Sequence, residues 1–471
     1  MQTAANSLLR EIQDFCQKSG IAESTFGRRA INDGKLCSRL RNGKGITLAT
    51  AERVQAYIRR NQASNGSGAP SANARSESPA KPAEPTAVPA AATKPKLDRP
   101  FRFYDNRQKY LAFVNTCNEK WKVAERAARE LAHLRPNPPA LRVFDAGMGD
   151  GTVLSHVMRA MHQRFPTLPF YVVGKEISLE DIRLSLDKLP DRFVEHPASV
   201  IVFTNLYYVE APWLMPRDVN KAAALNWHEV QLEGDSAYEY GQQLRSLDDF
   251  LVDAWQATAS PKTGNPRYVR PSVLIVYRKD QKFLLDSVIP RPGQAGANYD
   301  LVIASQPWRA RMDAQFKIKH VLAPLTRSLG PGGRLLAVQS WGRDAGIEVI
   351  REIWPDEDPF KVDRHELLKT LKEELKRDAR NFNFKADSDS KAIFQYRMHT
   401  LPEEIAESIG TSTLFAAWNA AIYVAQIDDH RLAEVLHSRE YLDATARILQ
   451  KHNGLWFNGE SFIVSRRGAQ T

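Results

Sequence analysis

Two periodicities of apolar residues divide the chain. Over residues 7 to 60 the spacing is helical. Leu8, Leu9, Ile12 and Phe15 form one stripe that stops at Lys18-Ser19-Gly20, and Phe26 and Ala30 mark a second helix from near Ala22 that Asn32-Asp33-Gly34 breaks. A third helix runs from Lys35 to Arg41 with Leu36 and Leu40 on one face, and Asn42-Gly43-Lys44-Gly45 closes it. Thr47 then caps a fourth helix carrying Val54, Tyr57 and Ile58. From Ala63 to about Lys96 the pattern disappears into Ala, Pro, Ser, Asn and Gly. Such a stretch cannot bury enough apolar surface to offset its ordering entropy, which predicts a disordered linker over residues 62–100 between a domain at 1–61 and a body at 101–471.

In the body, apolar runs of strand length alternate with helical ones. A helix predicted over Lys109 to Leu134 ends at Pro136, Pro138 and Pro139. Strands follow at Leu141–Asp145, at Phe170–Lys175 ending in Glu176, and at Ala198–Asn205, separated by helices over Val153–Phe165 and around Ile182–Leu189. A further strand at Tyr299–Ser305 leads into a helix over Ala314–Ser328, and a glycine turn at Leu329–Gly333 opens a strand over Arg334–Val338. Strand candidates at Ala392–Met398 and Ser461–Ser465 end the chain. This alternation predicts an α/β, doubly wound, mostly parallel sheet, beside a small all-α head. Residues 216–298 interrupt it with a helix over Tyr238–Thr258 and a hairpin of Ser272–Tyr277 and Lys282–Ile289. They read as an insertion that covers the ligand crevice, or as an independent small domain.

Composition changes this picture in two places. The net charge of +10 is uneven: residues 1 to 61 carry eleven Lys and Arg against five Asp and Glu, while the residues after 100 are close to balanced. A polyanion partner is therefore expected at the head. The three cysteines, Cys16, Cys37 and Cys117, have no disulfide or zinc spacing, and no apolar run is long enough to span a bilayer. The expectation is a cytoplasmic protein with no membrane partner and no metal.

The stretch Phe144-Asp145-Ala146-Gly147-Met148-Gly149-Asp150-Gly151 carries the chemistry. A buried strand that ends in a carboxylate and enters a glycine-rich turn exposes bare backbone to a ligand at the strand's C-terminal end. Asp145 is unfavourable beside a pyrophosphate and useful beside a cationic ligand. In these residues the body, over roughly 101–466, resembles class I S-adenosylmethionine-dependent methyltransferases, whose first motif is Asp/Glu-x-Gly-x-Gly-x-Gly. The resemblance implies that Asp145, Gly147, Gly149 and Gly151 cradle S-adenosylmethionine, that Glu176 binds the ribose hydroxyls, and that Asn205 lies near the adenine. Leu329 to Leu335 resembles the family's Leu-x-Pro-Gly-Gly-x-Leu turn. Ser305-Gln306-Pro307-Trp308 stands where amino-methylating members carry Asp/Asn/Ser-Pro-Pro-aromatic, with Gln306 in place of the first proline. The resemblance implies that these four residues meet the acceptor; the alternative is an ordinary strand-to-helix turn with a packed Trp308.

The head resembles the helix-turn-helix domains of phage repressors, through Arg41-Asn42-Gly43-Lys44 and the following Thr47-Leu48-Ala49-Thr50. That resemblance implies DNA binding through residues 22–45, with Lys35, Ser38 and Arg39 in the major groove, Arg41, Asn42 and Lys44 near phosphates, and a homodimer. A helical protein-interaction module is the alternative. Together these readings give a methyltransferase of unidentified acceptor, a small molecule or protein being favoured, with a DNA-binding or regulatory head. Two alternatives stay open: a DNA-binding regulator with a cofactor-sensing or inactive body, and a nucleic-acid methyltransferase.

Overall fold

A parallel strand buried on both faces must be apolar at consecutive positions, and β1 (Leu141–Asp145), β2 (Phe170–Lys175) and β3 (Ser199–Thr204) satisfy this. The computed structural model describes residues 2–58, other than 20, 32, 34, 35, 42–49, 52, 53 and 56, and residues 107–468, other than 262–264 and 407. These divide into two units, split at residue 92.

In the first unit, α1 (Gln2–Ser19), α2 (Glu23–Ile31) and α3 (Leu36–Arg41) pack Leu8, Ile12, Phe15, Phe26, Leu36 and Leu40 into one core with Val54 and Ile58. Phe15, Phe26 and Tyr57 meet edge to face with centroids 5.4–6.1 Å apart. The predicted linker, the start of the fourth helix at Thr47, and Lys35, Asn42 and Lys44 lie outside the described residues.

The second unit holds the sheet. Beyond β3 the chain forms β4 (Asn226–Leu232), a separate two-stranded ribbon of β5 (Ala257–Ala259) and β6 (Pro266–Tyr268), and β7 (Ser272–Arg278). It then returns through β8 (Tyr299–Ser305), β9 (Leu329–Ser340), β10 (Phe382–Lys385), β11 (Ile393–Arg397) and β12 (Trp456–Arg466). The spatial order is β10-β12-β9-β8-β1-β2-β3-β7-β4, with β11 also paired to β12. Strands β3, β2, β1, β8 and β9 are mutually parallel, and β12 runs antiparallel to β9. The chain leaves β1 towards β2 and β3 and comes back on the other side of β1 at β8. The β1/β8 boundary is therefore the topological switch point, where open α/β sheets bind ligands at the strands' C-terminal ends.

Alternating residues supply two cores. Phe144, Tyr171, Val173, Val202 and Val302 face Ile318, Leu322, Leu367 and Leu371. Val143, Val172, Ile201 and Ile303 face Val123, Ala127, Val157 and Met161. A third cluster, built from Thr411–Val424 and Glu440–His452, packs Trp418, Ile422 and Leu449 around Phe113 and Tyr396.

Several elements differ from expectation. The single helix over 109–134 is two, α4 (Arg107–Thr116) and α5 (Glu119–Glu130). The break falls where Cys117 bridges Met398 and Asn118 exchanges hydrogen bonds with the Arg397 backbone at 2.7 and 3.0 Å. The hairpin after Ser272 does not form: Lys282–Leu285 is helical, and β7 already has β3 and β4 on its two edges. Helix 238–258 is likewise two, Ala237–Arg245 and Asp248–Ala254, the first opened by a Ser236/Glu239 capping box. Residues 216–298 thus extend the sheet beyond β3. The fifth parallel strand begins at Leu329, because Leu329 already pairs with Tyr299; the Gly330–Gly333 turn bulges before Arg334 pairs with Leu301, packed so closely that a Cβ at Gly333 would strike the Tyr299 carbonyl.

Candidate functional site

The glycine turn follows β1 and precedes α6 (Thr152–Arg164). Gly149 and Gly151 have φ of +57° and +76°, the left-handed region that side chains with a Cβ rarely adopt. Space enforces the same choice, since a Cβ at Gly149 would stand 2.7 Å from Tyr110 Oη and one at Gly151 2.8 Å from Ser185 Oγ. Beneath them Met148 packs on β2, where a Cβ at Gly174 would meet its sulfur at 2.5 Å.

Carboxylates surround this bare backbone. Asp145 is 1% exposed; its Oδ1 accepts from Gly147 N at 3.2 Å, and its Oδ2 is buried with no hydrogen-bond partner among the described residues. Burial pushes its carboxyl up to about 6, against the lowering effects of the Gly147 hydrogen bond and Lys120. Glu176, just past β2, accepts from Gly149 N at 3.0 Å through Oε2, and from Ile177 N and Ser178 N at 2.7 and 2.9 Å through Oε1. The predicted turn and the predicted ribose ligand are therefore in direct contact.

Tyr110, Lys120 and Asp150 complete the cradle, none of them singled out from the sequence. Lys120 Nζ stands over the Tyr110 ring at 5.4 Å and would lie 3.9 Å from a Cβ at Gly149. Burial pulls the Lys120 ammonium down, but Tyr110, Glu119 and Asp150 outweigh it and hold its pKa well above the usual lysine value. Burial would raise the Asp150 carboxyl, yet Lys120 and hydrogen bonds from Lys188 Nζ and Thr152 Oγ1, at 2.7 and 2.6 Å, keep it below the ordinary range. This side of the turn is a charge-balanced wall; the Asp145 side carries an uncompensated acceptor.

No protein-family model and no curated protein matches the sequence. Solved structures do. Geranyl diphosphate methyltransferase in complex with SAM matches at 13% identity over 74% of this chain and 90% of that one, with a TM-score of 0.26. The CurJ carbon methyltransferase matches at 11% over 77% and 58%, TM-score 0.29, and PKMT2 from Rickettsia typhi at 10% over 74% and 53%, TM-score 0.25.

The turn after β8 is of another kind. Ser305 lies beside the glycine turn, its carbonyl 3.7 Å from where a Cβ on Gly147 would be. Gln306 has φ +50° and locks β8 to β9, donating to Ser340 Oγ at 2.8 Å and accepting from Ser340 N at 3.3 Å. The Pro307 carbonyl accepts from the Tyr208 hydroxyl at 3.2 Å. Trp308 is 5% exposed, and its indole N–H donates to Gln339 Oε1 at 3.1 Å in a buried chain that continues to Glu460 and Arg364. Trp308 is a core residue with a satisfied N–H.

Asn205 is 1% exposed and held by the backbone. Its Nδ2 donates to the Ala254 and Arg270 carbonyls at 3.0 and 2.9 Å, and its Oδ1 accepts from Ser272 N at 2.9 Å. It ties the inserted segment to the end of β3, which leaves its amide no free donor for an adenine. In the head, Ser38 is exposed, and Arg41 is exposed and paired with Glu23. The side chain of Arg39 lies outside the described residues. Among the described residues no cluster of His, Cys, Asp or Glu is arranged to hold a metal ion, and no helix is long and apolar enough to cross a membrane.

Proposed function

We propose that the body is an S-adenosylmethionine-dependent methyltransferase. The observation that carries this reading is the orphaned Asp145 carboxylate oxygen beside two left-handed glycines at the topological switch point. A dinucleotide's pyrophosphate would be repelled there, whereas a nucleoside bearing a sulfonium and an ammonium group supplies the missing positive charge and donors. The reversed β12 between β9 and β10 also departs from an all-parallel dinucleotide-binding sheet.

The cofactor supplies a methyl group on a sulfonium leaving group, so the chain's task is alignment of the acceptor and, for a protonated acceptor, removal of a proton. In this reading Asp145 faces the cofactor's cationic end, Glu176 holds the ribose, and Gly147, Gly149 and Gly151 admit it to the backbone. Ser305 and the Pro307 carbonyl border the acceptor's approach, while Gln306 and Trp308 hold that border in place. The test is label transfer from radioactive S-adenosylmethionine into cell extract fractionated into nucleic acid, protein and small molecules. Label in any fraction that is lost with Glu176→Ala supports the reading, and absence of label together with absence of cofactor binding overturns it.

We further propose that the head is a helix-turn-helix DNA-binding unit, with α3 as the recognition helix and Ser38 and Arg41 at its surface. A footprint on duplex DNA that disappears with Arg41→Ala supports this; protection that survives the change removes Arg41 from the contact.

A further inference from the structure

On the far side of the sheet from β1, the open edge of β10 and the end of the helix Arg364–Leu375 enclose a groove of about 710 Å³. Lys372, Lys376, Arg377, Arg380 and Arg467 line it together with the half-buried Phe384, and among the described residues no acidic side chain does. All five cations are exposed. Glu373 and Asp378, their neighbours in sequence, do not line the groove. Cations on exposed helices commonly pair three or four residues away, as Lys122 does with Glu125. Gathering five on one side of a nearly neutral body, at a cost in mutual repulsion, makes a local field that its overall charge conceals.

The strand register fixes where this groove stands. Phe382 is paired with Arg466, and Ser465 with Arg334, whereas Gly459 is paired with Ser340 at the opposite end of β12. The groove therefore opens at the N-terminal ends of the parallel strands, away from the glycine turn. It is not part of the cradle for a nucleoside cofactor.

We propose that this groove binds the phosphate backbone of a single-stranded nucleic acid. Successive phosphates match the charge of a row of Lys and Arg. Phe384 offers an apolar face beside them, and β10 is the last strand on this side of the sheet, so no strand among the described residues covers its outer edge. Duplex is the poorer fit, because its paired bases cannot reach Phe384. The inference is independent of methyl transfer.

The test uses the full chain, a fluorescein-labelled mixed-sequence 20-nucleotide DNA single strand, and the same sequence as duplex, with anisotropy read over a series of salt concentrations. The variant is Arg377→Ala/Arg380→Ala/Arg467→Ala, three exposed positions whose loss should leave the melting temperature unchanged. Expected is at least about a tenfold weakening for the single strand at low salt, and a log–log salt slope shallower by about 2 when three phosphate contacts are lost. Duplex binding, assigned to the head, should change little. Wild-type affinity and slope in the variant overturn the groove. Equal losses for single strand and duplex overturn the single-strand assignment.

Discussion

The turns that follow β1 and β8 sit side by side at the C-terminal edge of the sheet, and each resembles a methyltransferase motif, yet they are built on opposite principles. Around the glycine turn, a buried carboxylate oxygen has no hydrogen-bond partner among the described residues, and charged groups crowd the backbone. Around Ser305–Trp308, the Gln306 amide, the Pro307 carbonyl and the Trp308 indole are all satisfied by other parts of the protein. The first arrangement is costly unless a ligand completes it; the second is complete already. The contrast supports the proposed division, in which the β1 turn binds and most of the β8 turn supports.

The sharpest way to break this contrast is at Trp308. Trp308→Ala removes a buried aromatic and strands Gln339, so unfolding in denaturant should show a loss of about 3–5 kcal/mol; a loss below about 1 kcal/mol would mean that the indole is not core. Gly151→Val should cost about 2–4 kcal/mol, combining a left-handed β-branched residue with overpacking against Ser185. A wild-type midpoint there would remove the steric argument for the turn.

Asp145 gives a pH signature. A carboxyl raised to about 6 from an ordinary 3.8 binds its proton more tightly in the folded state, so its contribution to stability is present below pH 4 and is lost as pH rises to about 6. Asp145→Asn removes that loss. Relative to the parent, the variant should gain on the order of 2 kcal/mol between pH 4 and pH 7. A difference that stays flat with pH would contradict an orphaned, ionisable Asp145.

Much of this was legible in the sequence. The five parallel strands announce themselves as apolar runs, and the glycines and Glu176 as a turn and a strand end. What was not legible depends on tertiary partners. Asn118 interrupts a helical pattern only because the end of β11 pairs with it, and β4 (Asn-Trp-His-Glu-Val-Gln-Leu) is a half-exposed strand whose apolar signal is thin. Lys120 did leave a trace: four and seven residues on, at the spacing of one helix face, stand Ala124 and Ala127, both buried. A lysine on that face asks for anionic neighbours, which Asp150 and Glu119 supply. Asn205 shows the opposite case, since its place at a strand end suits a ligand contact and only the fold reveals that its amide ties down residues 254–272.

The central claim is that the cofactor is held at the β1 turn. It is tested most directly by calorimetric titration of S-adenosylmethionine into the parent, Glu176→Ala and Gln306→Ala proteins. The account predicts binding by the parent, a loss of at least about 1.5 kcal/mol in Glu176→Ala from removal of hydrogen bonds to a charged group, and parent-like affinity in Gln306→Ala. Unchanged affinity in Glu176→Ala, or an equal loss in Gln306→Ala, would contradict it.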